Sequence, residues 1–232
     1  MSQSQLIYVT DPLCLWCYGI APTLTQFYAT LPENMEKITI NGGLFPAERA
    51  RIADPAFRDY LKNASVKVTE LTGQTFSEAF WNLLATPGFK YDTQPSARAT
   101  VIVKSLSNEQ TMREYMHQLQ VATFVEGQDP TDEQVLATIA TEFGIVKDDF
   151  LQAYADNASQ QATQDEYAMA SQMGVRGFPA ILYVKDNQGY SLVSGFAPLD
   201  HLTKALAWAM DKAGEPPIQT AENSCDETGC KI

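Results

Sequence analysis

Two cysteines three positions apart, Cys14 and Cys17, are the residues of this 232-residue chain best suited to chemistry. They fall where an apolar, β-branched run (Leu6, Ile7, Tyr8, Val9, Thr10) gives way to Ile20, Leu24, Phe27, Tyr28 and Leu31, which recur at helical spacing. A Cys-x-x-Cys at a strand-to-helix junction reads as a redox pair, the alternative being two buried structural cysteines that happen to be neighbours. Unpaired N–H groups and the macrodipole at a helix start favour an anion, so the Cys14 thiolate is expected to be stabilised. Cys17, one turn further on, reaches the same sulfur from inside the helix. Those positions give Cys14 the attack on a disulfide and Cys17 the resolving step.

The elements that must position this pair are legible on either side of it. A strand over 36–41, carrying Ile38 and Ile40, follows the first helix and ends at Gly42-Gly43. Strand, helix, strand in that order is a βαβ unit with a right-handed crossover and parallel strands. From about 55 to 173 the periodicity is helical throughout, with helices expected over 55–69, 76–85, 96–106, 109–127, 132–143, 148–157 and 162–174. Thr131 and Gln134 form a capping-box candidate, and Gly127 and Gly144 stand where C-terminal glycines belong. Val101-Ile102-Val103 is β-branched, but its flanks favour helix. Strand character returns at 180–184, followed by the turn Asp186-Asn187-Gln188-Gly189 and a hairpin partner over 190–194. A closing amphipathic helix spans 198–213, and the polar remainder reads as a tail.

The run Cys14-Leu15-Trp16-Cys17-Tyr18-Gly19-Ile20-Ala21-Pro22 resembles the active-site helix of the thioredoxin superfamily, including the proline five residues after the second cysteine. Asp11-Pro12 and Trp16 look more like the DsbA family than like thioredoxin. Within that family the chain is similar to cytosolic FrnE-like proteins regarded as disulfide isomerases. The resemblance implies an α/β thioredoxin fold of the DsbA type with an inserted all-helical domain. Residues 1–50 and 160–214 then form a discontinuous thioredoxin-like domain, 51–159 the helical insertion, and 215–232 a flexible tail. In Gly174-Val175-Arg176-Gly177-Phe178-Pro179-Ala180, just before a strand, it implies the superfamily's cis-proline beside the cysteines. Such a loop exposes backbone groups of Phe178 to an extended substrate strand. Trp16 is expected to shield the disulfide and contact substrate. Leu15-Trp16 lacks the histidine or proline that many relatives place between the cysteines.

Cys225 and Cys230 lie in the tail, four residues apart. The resemblance extends to them, since some FrnE-like members carry such a pair as a second redox site. Three readings stay open: an auxiliary dithiol exchanging with Cys14 and Cys17, a tail without catalytic role, or zinc held by all four cysteines. Asp226 and Glu227 between them should raise their thiol pKa values.

The expected function is thiol–disulfide exchange on protein or peptide disulfides, with Phe178 and Pro179 binding substrate and no metal or organic cofactor. Glutathione or thioredoxin is the expected electron donor. Two alternatives are a glutathione-dependent isomerase or transferase of the hydroxychromene-carboxylate isomerase or kappa type, whose members typically carry serine in place of the first cysteine, and a non-catalytic DsbA-like adaptor. A formal net charge of −12 argues against nucleic acid and anionic membrane as partners. The N-terminus has neither a basic nor an apolar leader region, so the expected compartment is the cytoplasm. There the thiol pool keeps the pair reduced and favours reductase or isomerase action.

Overall fold

Alternation in the first strand decides the layering. Leu6 and Tyr8 point to one side, Ile7 and Val9 to the other, and all four are buried, so both faces must be covered. The computed structural model describes residues 4–214 and the backbone of 225–226 and 229–230. In chain order the first elements are β1 (Gln5–Thr10), α1 (Leu15–Ala29), β2 (Glu36–Asn41), β3 (Arg51–Ile52), α2 (Pro55–Thr72), α3 (Glu78–Leu84) and β4 (Lys90–Tyr91). Then follow α4 (Gln94–Leu106), α5 (Glu109–Phe124), α6 (Glu133–Thr141), α7 (Lys147–Ala155) and α8 (Asn157–Gln172). The chain continues through β5 (Ala180–Lys185), β6 (Gln188–Ser194) and α9 (Leu199–Lys212) to β7 (Cys225–Asp226) and β8 (Gly229–Cys230).

The main sheet has the order β2-β1-β5-β6, with β1 parallel to β2 and antiparallel to β5. Ile20, Leu24 and Phe27 of α1 and Leu202, Leu206 and Met210 of α9 cover the face that carries Leu6 and Tyr8. Ala170 of α8, with Met173 and Val175 beyond it, covers the face of Ile7, Val9 and Ile40. The helical region α4–α8 is inserted between β2 and β5. Within it, Ile102, Tyr115, Leu119, Leu136 and Phe150 share a core of their own. A further cluster joins Phe57, Leu61, Phe80 and Tyr91 to Leu13 and Tyr18, so α2, α3 and β4 brace the start of α1.

Differences from the expected elements are local. No strand was expected between 55 and 173, yet β4 pairs with β3 as a two-residue ladder. The first cap of α6 is Asp132, whose carboxylate accepts from the Gln134 N–H, while Thr131 donates to Asp129 instead. α8 starts five residues earlier than its apolar pattern suggests, because Asp156 both ends α7 and caps α8 through the Ala158 N–H. The β5–β6 turn is the tighter two-residue kind, with Asp186 and Asn187 at φ 50 and 62°. In the tail, Cys225 is the backbone partner of Cys230. The side chains of these cysteines, and with them all three readings of the pair, lie outside the described residues.

A polar clamp ties the helices to the sheet. Glu166 of α8, buried, accepts from the backbone N–H and the Nδ2 of Asn41 at 2.9 and 2.7 Å. It also pairs with Lys104 of α4, whose Nζ donates to the Thr39 carbonyl. Removing the carboxylate leaves a half-buried ammonium and a buried N–H without their partner. Glu166→Ala should therefore lower unfolding free energy by roughly 2–4 kcal/mol in urea titration; a loss under about 0.5 kcal/mol, the range of ordinary surface changes, would mean the clamp carries no weight.

Candidate active site

Cys14 is the N-cap of α1, with extended backbone (φ −78°, ψ 117°). Its carbonyl accepts from the N–H groups of Cys17 and Tyr18, and its own N–H closes a turn onto the Asp11 carbonyl. Both cysteines are free thiols, 5% and 1% exposed. The loop ahead of them is fixed by a wholly buried carboxylate. Asp11 Oδ1 accepts the Leu13 N–H at 3.0 Å and Oδ2 the Leu44 N–H at 2.7 Å. The Tyr91 hydroxyl adds a bond to the Leu13 carbonyl at 2.6 Å.

Across from the helix start lies the loop before β5. The Phe178–Pro179 peptide bond is cis, and the Cys14 thiol donates to the Phe178 carbonyl at 3.7 Å. In the free thiol form Phe178 presents its carbonyl to the sulfur, on the side where a substrate strand next to Cys14 is expected. Its ring lies on Gly42, where a Cβ would come within 1.9 Å of it, so this position admits no side chain without moving the loop. The Pro179 carbonyl accepts the Gly195 N–H at 2.7 Å, which brings the next residue, Phe196, beside Trp16 at 6.3 Å between ring centroids. Cys14, Cys17, Trp16, Phe178 and Pro179 are thus assembled at one place. Asp11, Gly42 and Phe196 join them unforeseen. The Gly42-Gly43 pair carried a signal, since adjacent glycines mark close backbone approach as well as turns. Asp11 carried one only as part of the Asp11-Pro12 resemblance, which said nothing of its buried bonds, and Phe196 carried none.

Electrostatics here differ from the expected thiolate stabilisation. The Cys14 thiol is pushed well up, first by its hydrogen bond with Cys17, then by burial, then by charge on Cys17 and on Asp11. The Cys17 backbone N–H pulls the other way and is outweighed. Burial also pushes Asp11 up to about 6, against its bonds from Leu44 and Leu13. The Tyr8 phenol is raised by burial and, next, by Cys17. Among the described residues no cluster of three side chains is arranged to hold a metal, and no helix is long and apolar enough to cross a membrane.

The model of one protein family, the DSBA-like thioredoxin domain, matches residues 5–207. A candidate protein disulfide isomerase from Nitrosomonas europaea superposes with a TM-score of 0.81 at 25% identity, covering 91% of this chain and 99% of that one. The cytosolic disulfide reductase DsbM from Pseudomonas aeruginosa gives 0.68 at 25% identity over 82% of this chain and 89% of its own; it has also been solved with glutathione. A 2-hydroxychromene-2-carboxylate isomerase shares the fold, at 17% identity and a TM-score of 0.60 over 90% of this chain and 95% of that one. Among curated proteins nothing matches.

Asp11 gives the site a pH signature. Below about pH 6 its carboxyl is neutral, and above that its charge opposes ionisation of Cys14. Asp11→Asn should speed alkylation of Cys14 by iodoacetamide at pH 7.5 by roughly three- to tenfold while leaving the rate at pH 5 close to that of the parent. Equal rates at both pH values would remove Asp11 from the control of the thiol.

Proposed function

The chain belongs to the DSBA-like thioredoxin domain family, and from that premise we propose that it is a thiol–disulfide oxidoreductase working on protein or peptide disulfides as reductase or isomerase. The observation that carries this is the placement of the Cys14 sulfur at a helix N-terminus, 3.7 Å from the Phe178 carbonyl, with Cys17 one turn behind.

Cys14 gives up its proton and its thiolate attacks one sulfur of the substrate disulfide. The S–S bond breaks as the mixed disulfide forms, and the departing substrate thiolate takes up a proton. Having lost its S–H, Cys14 releases the Phe178 carbonyl to accept an N–H from the substrate backbone, beside the Pro179 turn. Trp16 and Phe196, both half-buried, offer the apolar contact for a neighbouring substrate side chain. Cys17 then loses its proton and attacks Cys14, closing the Cys14–Cys17 disulfide and freeing the second substrate thiol. Two electrons have passed from the pair to the substrate, and two thiols such as glutathione, or one thioredoxin dithiol, restore it. The solution of DsbM with glutathione supports a small thiol as donor. Isomerisation uses the first step and its return. Sulfur alone balances the exchange, so no metal or organic cofactor is invoked. The cytoplasm remains the compartment this reading favours, in line with the cytosolic reductase among its structural relatives.

The test is reduction of insulin disulfides coupled to glutathione. Cys14→Ser should fall to the uncatalysed background, a loss of at least ~100-fold, since the thiolate is the nucleophile. Cys17→Ser should accumulate a mixed disulfide on Cys14, visible as added substrate mass. Turnover or partner function retained in the double variant Cys14→Ser, Cys17→Ser would favour the adaptor instead.

A further inference from the structure

A cavity of about 870 Å³ lies between α1 and α5, reaching down to β1 and β2. Cys17 and Tyr8 contribute to its lining, whereas Cys14, Trp16 and Phe178 do not, so it is separate from the face where substrate disulfides arrive. Its volume falls within the range of small-ligand sites, roughly 300–1,000 Å³, and is far more than one water requires.

The polar groups on its walls are of kinds that complement one another around a peptide. Gln120 is 2% exposed and lines the cavity, and its side chain makes no hydrogen bond among the described residues. An amide that borders the cavity with no protein partner leaves an acceptor and N–H donors to whatever occupies it. Gln74 donates to the Tyr18 carbonyl at 3.4 Å, which leaves its own carbonyl oxygen available to a ligand N–H. Tyr8 accepts from Thr10 Oγ1 at 3.1 Å, so its phenolic proton remains to be given. Lys37 and Arg113 also line the cavity. Arg113 is held over the Tyr28 ring and by Glu109 at 3.2 Å, a fixed guanidinium with further N–H donors. Glu114, one residue on, supplies a carboxylate.

We propose that this cavity binds a short zwitterionic peptide, its amide groups on Gln120 and Gln74, its carboxylate on Lys37 and Arg113, and its ammonium on Glu114. Amides that both give and accept favour peptide groups over hydrocarbon, and walls that carry Lys37 and Arg113, the latter shared with Glu109, together with Glu114 favour a ligand bearing charges of both signs. An occupant would cover the inner side of Cys17. The inference does not depend on exchange chemistry, because binding requires no sulfur in the ligand.

The probes are triglycine and S-methylglutathione, neither with a free thiol, titrated calorimetrically into the full reduced chain, with triglycinamide as the uncharged-end control. Saturable binding of at least one peptide is expected, with the amide at least ~tenfold weaker, about 1.4 kcal/mol. Thr25→Trp, placed on the exposed rim of α1 where Thr25 lines the cavity, should weaken binding by at least ~tenfold without touching the core. Gln120→Leu should do the same, and bound peptide should shift the NMR signal of the Cys17 β-carbon more than that of Cys14. No binding of either peptide at millimolar concentration would overturn the proposal. So would equal affinity for triglycinamide, or affinity that Thr25→Trp leaves unchanged, the latter placing the peptide elsewhere.

Discussion

The buried carboxylate of Asp11 is the constraint from which the rest of the site follows. With no exposure to water, it satisfies two backbone N–H groups at once, one in the loop before α1 and one in the segment after β2. Those bonds fix the Gly42–Leu44 segment beside the cysteine loop. Gly42 in turn seats the Phe178 ring, and the Phe178 carbonyl meets Cys14. The same group that assembles the site therefore places negative charge beside the nucleophile. Burial costs a carboxylate much of its hydration, and two charge-assisted bonds only partly offset this, which is why Asp11 titrates late.

That arrangement bears on the direction of exchange. A strong oxidant of this superfamily owes its potential to a stabilised reduced form. Here the helix N-terminus supplies one favourable N–H to Cys14, while burial, Cys17 and Asp11 all disfavour the thiolate. The pair therefore lacks the stabilised thiolate that marks a strong oxidant, in line with the reductive direction proposed above. The inserted helices contribute at a distance. Glu166 and Lys104 anchor Asn41, the residue before Gly42, so the helical region bears on the ground beneath Phe178.

Much of this was legible because it is local. The Cys14–Cys17 spacing, the βαβ order and the helices between 55 and 173 are written in periods of two and 3.6, and the α/β fold with inserted helices followed from them. The β-branched run Val101-Ile102-Val103 is helical, as its flanks required. What escaped depends on partners distant in sequence. The ladder of Arg51–Ile52 with Lys90–Tyr91 is too short for any pattern, and the polar start of α8 hides behind an aspartate serving two helices. Thiolate stabilisation at the start of α1 was a sound local inference that the hydrogen bond with Cys17 and tertiary burial reversed, with Asp11 adding to them. Gln120 looks like any glutamine on an amphipathic helix until α1 is laid over it.

The most direct measurement is the reduction potential of the Cys14–Cys17 pair, equilibrated against glutathione in a chain carrying Cys225→Ser and Cys230→Ser. With the Cys14 thiolate disfavoured by its hydrogen bond with Cys17, by burial and by Asp11, the expected value lies near that of thioredoxin, ~−270 mV. A value near ~−120 mV, the mark of a stabilised thiolate, would contradict both the electrostatic reading of Asp11 and the reductive direction drawn from it.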